Sequence, residues 1–345
     1  MSGSVIVADD RTGALETAGA LAQRDGSIVP VRFRTLPAPV DGQVVVDLGS
    51  RHLPPTSAAE AVAGLGLGRH AGWVGHKVDS LLRGNVAAEI SGLRASTGRR
   101  VLLVPASPGL GRTCVGGVVR ADGIPVADLV DARSPATTSR PSELLGAAEV
   151  DAPRLSRWLG GSDPVAVCDA ETEDDLIGIA AVMAGHPHVI IAGPAAVIAA
   201  TCPPWSPNIS PTERFGDHVM GGRVVVVVGS VHPSALAQAD VLERATTARV
   251  FRTDLRAGST PDEVLADLAA RAATALAEAR TIVIVGGDTA AAVLGDATVE
   301  VCGLVATGMP WFRASRFPGA TVITKPGSFG GPNLLVDVLS GRIGR

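Results

Sequence analysis

The sequence predicts an α/β protein of two domains, each a mostly parallel sheet flanked by helices. Short β-branched runs alternate with alanine-rich stretches along the chain, which is typical of parallel strands joined by helices. The 345 residues exceed the usual size of one domain. A proline-rich segment at 202–222 interrupts the alternation, because proline continues neither a helix nor a central strand. We therefore predict domains at 1–205 and 223–345, joined by a linker at 206–222.

The first domain is predicted to begin with the apolar strand Val5–Ala8, followed by a helix from Thr12 to Arg24. Similar apolar runs predict the strands Val44–Leu48, Val101–Pro105, Val165–Asp169 and Val189–Ala192. Alanine-rich stretches predict the helices Ser57–Gly64, Val86–Ala95, Glu173–Met183 and Ala195–Ala200. The Asp122-Gly123 pair predicts a β-hairpin whose arms are Val118–Arg120 and Val126–Leu129.

The second domain repeats this alternation after the linker. Its β-branched runs predict the strands Val224–Val228, Arg249–Arg252 and Thr281–Val285. Between them, the sequence predicts the helices Ser234–Thr246 and Pro261–Ala279.

The composition excludes several classes of protein. Apolar residues make up 46% of the chain and charged residues 19%, which favours a folded core over disorder. The formal net charge is −4, so bulk charge does not suggest a nucleic-acid partner. No apolar stretch reaches the roughly 18 residues that a membrane-spanning helix needs, and the first residues lack the basic start of a secretory signal. We expect a soluble cytoplasmic protein.

The cysteines support the same compartment, and none is predicted to bind metal. They lie far apart and form no C-x-x-C pair, at positions Cys114, Cys168, Cys202 and Cys302. This spacing favours free thiols in a reducing cytoplasm over disulfides or a zinc site. The sequence does not identify metal ligands.

Lysine is rare in this chain. Of thirty basic residues only two are lysines, Lys77 and Lys325. Lysine carries a compact ammonium that binds phosphate or carboxylate as a point charge, whereas arginine presents a planar fork. Both lysines lie in motif-like segments, although chance would also explain two isolated positions.

The first candidate site is the carboxylate pair at the end of the first strand. Asp9 and Asp10 follow Val5–Ala8, and open α/β sheets bind ligands at the carboxyl ends of their strands. Adjacent residues on a strand point in opposite directions, so one carboxylate can face a ligand while the other braces the turn. The alternative is an ordinary N-terminal cap for the following helix.

The second candidate segment, 76–85, concentrates polar and charged side chains. Its candidate binding residues are Lys77, Asp79, Ser80, Arg83 and Asn85. Two cations with hydroxyl and amide donors suit a small polyhydroxy carboxylate or a phosphate. The alternative is a surface loop with solvated charges.

A third candidate loop follows the strand at 101–105. Proline and glycine are dense in Pro105–Thr113, which forces a loop. Arg112 at its exit is a candidate anion contact, with a structural role as the alternative.

Three glycine-rich turns in the second domain predict a phosphate site. Two follow predicted strands and a third lies near the carboxyl terminus; the candidate residues are Ser230, His232, Gly286, Gly287, Asp288, Thr289, Lys325, Gly327 and Gly330. Glycine lets the backbone approach a phosphate closely, and the amino end of a helix favours negative charge. No Gly-Lys pair exists, so the Walker motif is absent and a nucleotide would bind by another architecture.

Together the motifs resemble the four-carbon acid sugar kinase family. The resemblance is carried by 8–14, 77–85, 105–113, Asp131–Pro135, Gly193–Val197, Gly229-Ser230, 286–289 and 325–330. It implies ATP-dependent phosphorylation of the 4-hydroxyl of threonate, erythronate or 3-oxo-tetronate. It also implies a sugar-acid-binding domain followed by a nucleotide-binding domain.

The resemblance divides the candidate residues between the two ligands. It assigns the acid to Asp9, Asp10, Lys77, Asp79, Ser80, Arg83 and Asn85, and ATP to Ser230, Gly286–Thr289 and Lys325–Gly330. Arg11 stands where the family usually has an apolar residue, and Leu81 where it usually has threonine. The chain is also shorter than typical members.

The resulting hypothesis is a kinase in which Asp10 or Asp79 accepts the proton of the hydroxyl. Mg²⁺ is expected with ATP, and Lys325 is expected at the β- and γ-phosphates. The alternatives are a sugar-acid phosphatase or lyase, and a non-catalytic sensor of nucleotide or sugar acid. The expected partners are the two small molecules, without nucleic acid or membrane; the sequence leaves a homo-oligomer open.

Overall fold

The computed structural model describes residues 3–37, 39–70, 72–129, 136–205, 215, 222–254 and 258–343. The chain divides into two compact units. Unit 1 comprises residues 1–17 and 33–205, and unit 2 comprises residues 18–32 and 206–345. The domain boundaries inferred from the sequence stay a prediction. Most of the predicted linker, and the motif Asp131–Pro135, lie outside the described residues.

The described residues form an alternating series of strands and helices, as expected for an α/β protein. The strands are β1 (Ser4–Ala8), β2 (Val29–Phe33), β3 (Gln43–Asp47), β4 (Val74–Lys77), β5 (Val101–Leu103), β6 (Arg112–Val115), β7 (Val118–Ala121), β8 (Ile124–Pro125), β9 (Ala148–Val150), β10 (Val165–Cys168), β11 (Ile190–Gly193), β12 (Val224–Val228), β13 (Arg249–Arg252), β14 (Thr281–Val285), β15 (Val299–Ala306), β16 (Met309–Ala314) and β17 (Thr321–Lys325). The helices are α1 (Arg11–Asp25), α2 (Pro55–Ala63), α3 (Val86–Thr97), α4 (Pro141–Leu145), α5 (Ala152–Leu159), α6 (Glu173–Met183), α7 (Ala195–Thr201), α8 (Pro233–Ala245), α9 (Pro261–Ala277), α10 (Gly287–Leu294) and α11 (Leu334–Leu339).

Unit 1 is built on a parallel sheet with the strand order β3-β1-β4-β11-β5-β10-β9. All five residues of β1 are buried, which explains its continuous apolar run, because a strand covered on both faces needs no polar alternation. Since β1 lies between β3 and β4, the carboxyl ends of these three strands meet at one edge. Polar residues follow all three strands there.

Unit 2 combines parallel and antiparallel strands in the order β13-β12-β14-β17-β16-β15-β2. The first four are parallel, and β16, β15 and β2 pair antiparallel. Its core includes Val226, Val283 and Ile323, which lie on the adjacent strands β12, β14 and β17. The central strand β14 again lies between two parallel neighbours, so three strand ends meet.

The α/β class predicted from the sequence is confirmed, and several elements match in detail. The strands β12, β13 and β14 and the helix α6 have the predicted bounds. No helix among the described residues is both long enough and apolar enough to cross a membrane.

One arm of the predicted hairpin is wrong. The second arm is Ile124–Pro125, and Val126–Asp128 forms a single 3₁₀ turn instead of a strand. Both Asp122 and Gly123 have positive φ angles, and Ala121 pairs with Ile124. This two-residue turn makes the return strand start at Ile124, and Pro125 has no N–H with which to extend the ladder.

Candidate functional site

Arg51 organises the acidic side chains at the edge of the unit 1 sheet. It follows β3, and its guanidinium donates to both carboxylate oxygens of Asp9, from Nε to Oδ2 at 2.7 Å and from Nη2 to Oδ1 at 3.0 Å. It also donates to both oxygens of Asp10, at 2.9 Å each. Burial raises the pKa of Asp9, and the charge of Arg51 opposes that rise. The two carboxylates predicted at the end of β1 are therefore held together by an arginine that follows β3.

Asp79 is fixed by a second arginine. Arg83 donates from Nε to Oδ1 at 2.9 Å and from Nη2 to Oδ2 at 2.7 Å. Arg51 Nη2 lies 3.4 Å from Asp79 Oδ2. Although burial raises it, the pKa of Asp79 is held well below its usual range by the hydrogen bonds of Arg83 and the charge of Arg51. A carboxylate in this state is a weak proton acceptor.

Lys77 brings an unpaired ammonium to the same edge. It ends β4 with a side chain only 5% exposed, and its Nζ has no hydrogen bond or ion pair within the described residues. A Cβ at Gly13 would lie 2.8 Å from Lys77 Nζ and 2.7 Å from Asp10 Oδ1. A side chain at position 13 would therefore displace the Lys77 ammonium or the Asp10 carboxylate from its place beside α1. A buried unpaired cation is costly, and an anionic ligand would neutralise it.

Asn85 and Ser80 differ in their surroundings. The Asn85 amide donates to the backbone carbonyls of Ser50 at 2.9 Å and Leu53 at 2.8 Å. It thus ties the start of α3 to the loop that carries Arg51. Ser80 is half-buried, and its hydroxyl makes no hydrogen bond with the described residues, so it stays available to a ligand.

A buried network of polar side chains holds the loop after β3, which carries Arg51, in place. Glu89 accepts from Ser50 Oγ at 2.6 Å and contacts His76 Nε2 at 2.9 Å. All three side chains are almost fully buried. The Ser50 amide donates to the carbonyl of Asp9 at 2.9 Å. The network therefore fixes the loop that follows β3 against the end of β1.

The guanidinium groups of Arg112 and Arg11 are each bound by nearby groups of the protein. Arg112 Nη1 donates to the Leu110 carbonyl at 2.7 Å and to Asp122 at 3.1 Å, which fixes its own hairpin. Arg11 is buried and pairs with Asp47 at 2.5 Å, with its guanidinium 5.1 Å from the centre of the Phe33 ring. This ion pair explains how the charged side chain of Arg11 is accommodated in a buried position.

In unit 2, the three glycine turns contact one another at the ends of β12, β14 and β17. A Cβ at Gly229 would lie 2.1 Å from Thr289 Oγ1, and a Cβ at Gly327 would lie 2.0 Å from Ser230 Oγ. Gly286 has a φ of 115°, which side-chain-bearing residues rarely adopt. The predicted turns are thus brought together, and their glycines leave room that larger residues would fill.

Lys325 ends β17 beside these turns. Its side chain is only 1% exposed, and Nζ donates to the Pro326 carbonyl at 2.7 Å. Burial lowers its pKa to about 8. The second rare lysine is therefore a desolvated cation at a strand end, as Lys77 is in unit 1.

His232 and Gln238 hold the ends of this region. His232 is exposed, and its Nδ1 accepts from the Ser234 amide at 3.2 Å, which caps α8. Gln238 is fully buried, and its Nε2 donates to the carbonyls of Phe329, Gly330 and Gly331 at 2.8–3.0 Å. Gln238 thus fixes the third glycine loop.

Few side chains of the described residues are placed to bind a magnesium ion. Among the residues that the structure describes, no group of three or more histidine, cysteine, aspartate or glutamate side chains could hold a metal ion. Asp288 supplies one half-buried carboxylate in the first turn of α10, directly after β14. One carboxylate fits Mg²⁺ that keeps most of its ligands as water and phosphate oxygens.

Sequence reasoning missed Arg51, Gln238 and Glu16. Arg51 carried a usable signal, since it follows a predicted strand as Asp9 and Asp10 do. Gln238 carried none, because a glutamine inside a helix is normally exposed. Glu16 lies in the first turns of α1, where its surroundings depend on β4.

Comparison with known proteins gives the two parts of the chain separate matches. Residues 4–147 match the family described as "Sugar-binding N-terminal domain", and residues 256–335 match "Nucleotide-binding C-terminal domain". A D-threonate kinase of Cupriavidus necator is 28% identical, with 94% of each chain covered. A D-erythronate kinase of Heliobacterium modesticaldum is also 28% identical, covering 74% of this chain and 64% of that protein. The chain belongs to the four-carbon acid sugar kinase family.

The chain is also similar to a solved structure. A protein of Bordetella bronchiseptica, crystallised with bound citrate as a domain-swapped dimer, is 27% identical with a TM-score of 0.50 and 98% of each chain covered. The carboxylates of Asp9, Asp10 and Asp79 and the ammonium of Lys77 fall inside the sugar-binding match. The turns at Gly286 and Lys325 fall inside the nucleotide-binding match, whereas Ser230 precedes it.

Proposed function

We propose that this protein is an ATP-dependent kinase that phosphorylates the terminal hydroxyl of a four-carbon sugar acid. The observation that carries the proposal is the glycine-lined convergence of three strand ends around the buried Lys325 in unit 2. Glycine turns followed by helices suit phosphates, because backbone N–H groups and the helix dipole both favour negative charge there. The kinase names of the relatives agree with this chemistry.

In the proposed reaction, unit 1 binds and orients the acid. Lys77 binds the carboxylate of the acid as a point charge, with Ser80 donating or accepting at a hydroxyl. Arg83 and Arg51 hold the surrounding carboxylates in fixed positions. Asp10, whose side chain is 18% exposed, is the proposed acceptor of the hydroxyl proton, with Asp79 as the rival.

Unit 2 positions the nucleotide in the proposal. The backbone amides of Gly286 and Gly287, with the hydroxyl of Ser230, donate to the phosphates, and Lys325 neutralises the β- and γ-phosphates. Asp288 would hold Mg²⁺ together with the phosphates, and the ion supplies charge neutralisation. The His232 ring accepts at Nδ1 from the chain, which leaves an Nε2–H for the phosphate side.

The substrate and the assembly are proposed from the relatives. Threonate and erythronate are the acids in the relatives' names, and citrate, bound by the Bordetella relative, is also a hydroxy acid. A dimer is proposed on the same basis, since that relative is a domain-swapped dimer.

An ADP-release assay over D-threonate, D-erythronate and a 3-oxo-tetronate tests the proposal. We expect ADP only when one of these acids is present, and release of inorganic phosphate from a phosphorylated acid would indicate a phosphatase instead. The Asp10→Asn variant should lose turnover by about 100-fold or more while nucleotide affinity stays within a few-fold. Absence of ADP with every acid would reject the kinase, and full turnover in the variant would reject Asp10 as the proton acceptor.

A further inference from the structure

Four acidic side chains, Asp9, Asp10, Glu16 and Asp79, lie near Lys77 at the edge of the unit 1 sheet, and the described residues leave only Glu16 without a partner. Asp9 and Asp10 each engage Arg51 through both carboxylate oxygens, and Asp79 engages Arg83 in the same way. Glu16 accepts no hydrogen bond and forms no ion pair within the described residues. Its carboxylate is therefore the one among these four whose oxygens accept no hydrogen bond from the described residues.

The position of Glu16 on α1 places it beside the unpaired lysine. Glu16 follows Gly13 by three residues, and residues three apart share a face of a helix. Gly13 is the position where α1 passes Lys77, at 2.8 Å from a Cβ to Nζ. Burial raises the pKa of Glu16, and the charge of Lys77 opposes that rise while Asp10 and Asp79 add to it.

Two unsatisfied groups of opposite charge thus lie close together without forming an ion pair. Lys77 is buried and Glu16 half-buried, so each loses solvation without a hydrogen bond or an ion pair from the described residues. A buried polar or charged group without a hydrogen-bond partner destabilises a fold. A hydroxy acid offers both missing partners, since its carboxylate suits the ammonium and its hydroxyl can donate to a carboxylate.

We propose that Glu16 accepts a hydrogen bond from a hydroxyl of the bound acid while Lys77 binds the acid's carboxylate. Glu16 thereby makes the site select a polyhydroxy acid over an acid that lacks this hydroxyl. The identity of the acid rests on the proposed function, but acid binding is measured without phosphoryl transfer. Glu16 acts as a substrate-binding and specificity-determining residue.

Calorimetry with deoxy analogues tests this role. The wild-type protein and the variants Glu16→Ala and Glu16→Gln are titrated with D-threonate and with its 2-deoxy, 3-deoxy and 4-deoxy analogues. Each titration is run with and without a non-hydrolysable ATP analogue. Glu60→Gln, an exposed change on α2 of the same unit, is the control. Circular dichroism verifies folding, which alanine at a helical position favours.

We expect one deoxy analogue to bind wild type about 10- to 100-fold more weakly than threonate, as for a hydrogen bond to a charged group. In Glu16→Ala, this difference should vanish for that analogue alone. Glu16→Gln, which keeps an acceptor oxygen, should retain part of it, and Glu60→Gln should behave as wild type.

Two results would overturn the role of Glu16. One is unchanged discrimination among the analogues in Glu16→Ala, and the other is an equal loss of affinity for all four acids. Failure of the proposed function has a different signature: the acids bind with the expected discrimination, but the ADP-release assay yields no ADP. Because binding and turnover are read separately, the two failures are distinguishable.

Discussion

The edge of the unit 1 sheet and the edge of the unit 2 sheet share one arrangement but differ in chemistry. In each unit a central parallel strand, β1 or β14, ends between two parallel neighbours. In unit 1 the strand ends supply charged side chains locked by arginines. In unit 2 they supply glycines and small hydroxyls packed around a lysine. One scaffold therefore presents charged side chains at one sheet edge and glycine-lined backbone at the other.

This contrast predicts different sensitivities to mutation. A side-chain site fails when one partner of an ion-pair network is removed, because the remaining charges lose their compensation. A backbone site fails when a Cβ is added, because it fills the space left for the ligand.

The largest expected effect is on the stability of unit 1. Arg51→Met leaves Asp9, Asp10 and Asp79 close together without their shared cation. We expect the free energy of unfolding to fall by about 3–5 kcal/mol. Urea denaturation followed by tryptophan fluorescence measures it, since Trp73, Trp158 and Trp205 all lie in unit 1.

Arg69→Gln is the matched control, because Arg69 is an exposed arginine in the same unit. Its effect should stay within about 0.5 kcal/mol. Adding Asp9→Asn to Arg51→Met should recover part of the loss by removing one repelling charge. Wild-type stability in Arg51→Met would show that the carboxylates do not depend on this arginine.

An intermediate effect is expected at Gly286. Gly286→Ala forces a side-chain-bearing residue into a φ of 115° and places its Cβ 2.9 Å from Thr289 Oγ1. We expect a destabilisation of about 1–3 kcal/mol, together with a loss of nucleotide affinity of at least about tenfold, or roughly 1.4 kcal/mol. Thermal unfolding and fluorescent-nucleotide titration measure the two effects.

Gly319→Ala separates backbone strain from crowding. Gly319 also has a positive φ, of 80°, but no atom lies within 4 Å of its Cβ position. This variant should be destabilised while keeping wild-type nucleotide affinity. If both variants lose nucleotide affinity equally, crowding at the turn is not the cause.

The smallest expected effect is a pH dependence at Lys325. A lysine with a pKa of about 8 is largely cationic at pH 7 and largely neutral at pH 9, so its attraction for phosphate weakens as the pH rises. We expect the Kd for ADP to increase about tenfold from pH 7 to 9. Lys325→Met should bind ADP more weakly at pH 7 and show no such rise. A parallel rise in the variant would assign the pH dependence to another group.

Much of the fold was readable from the sequence because its signals are local. Buried parallel strands such as β12 and β14 are continuous β-branched runs, and α6 begins at a capping box formed by Thr172 and Asp175. The strand β4 was missed because Val74-Gly-His-Lys77 has no apolar run. It is nonetheless fully buried, because it lies between β1 and β11 in the sheet.

The site was readable only in part for the same reason. Glycines that follow strands, and the two rare lysines, are visible in the sequence without any knowledge of tertiary contacts. The side chains that hold these positions in place come from distant parts of the chain. Arg51 is 41 residues from Asp10, and Gln238 is 91 residues from Phe329.

The sequence by itself determined the α/β class, the positions of the turns and the presence of a lysine near each set of polar residues. These features follow from backbone preferences and hydrophobic periodicity, which act over a few residues. Only the tertiary structure decided that β1 lies between β3 and β4, and that Arg51 therefore meets three carboxylates while Lys77 and Glu16 stay unpaired among the described residues. Strand order depends on hydrogen bonds and packing between distant segments, and side-chain partners at a sheet edge depend on that order.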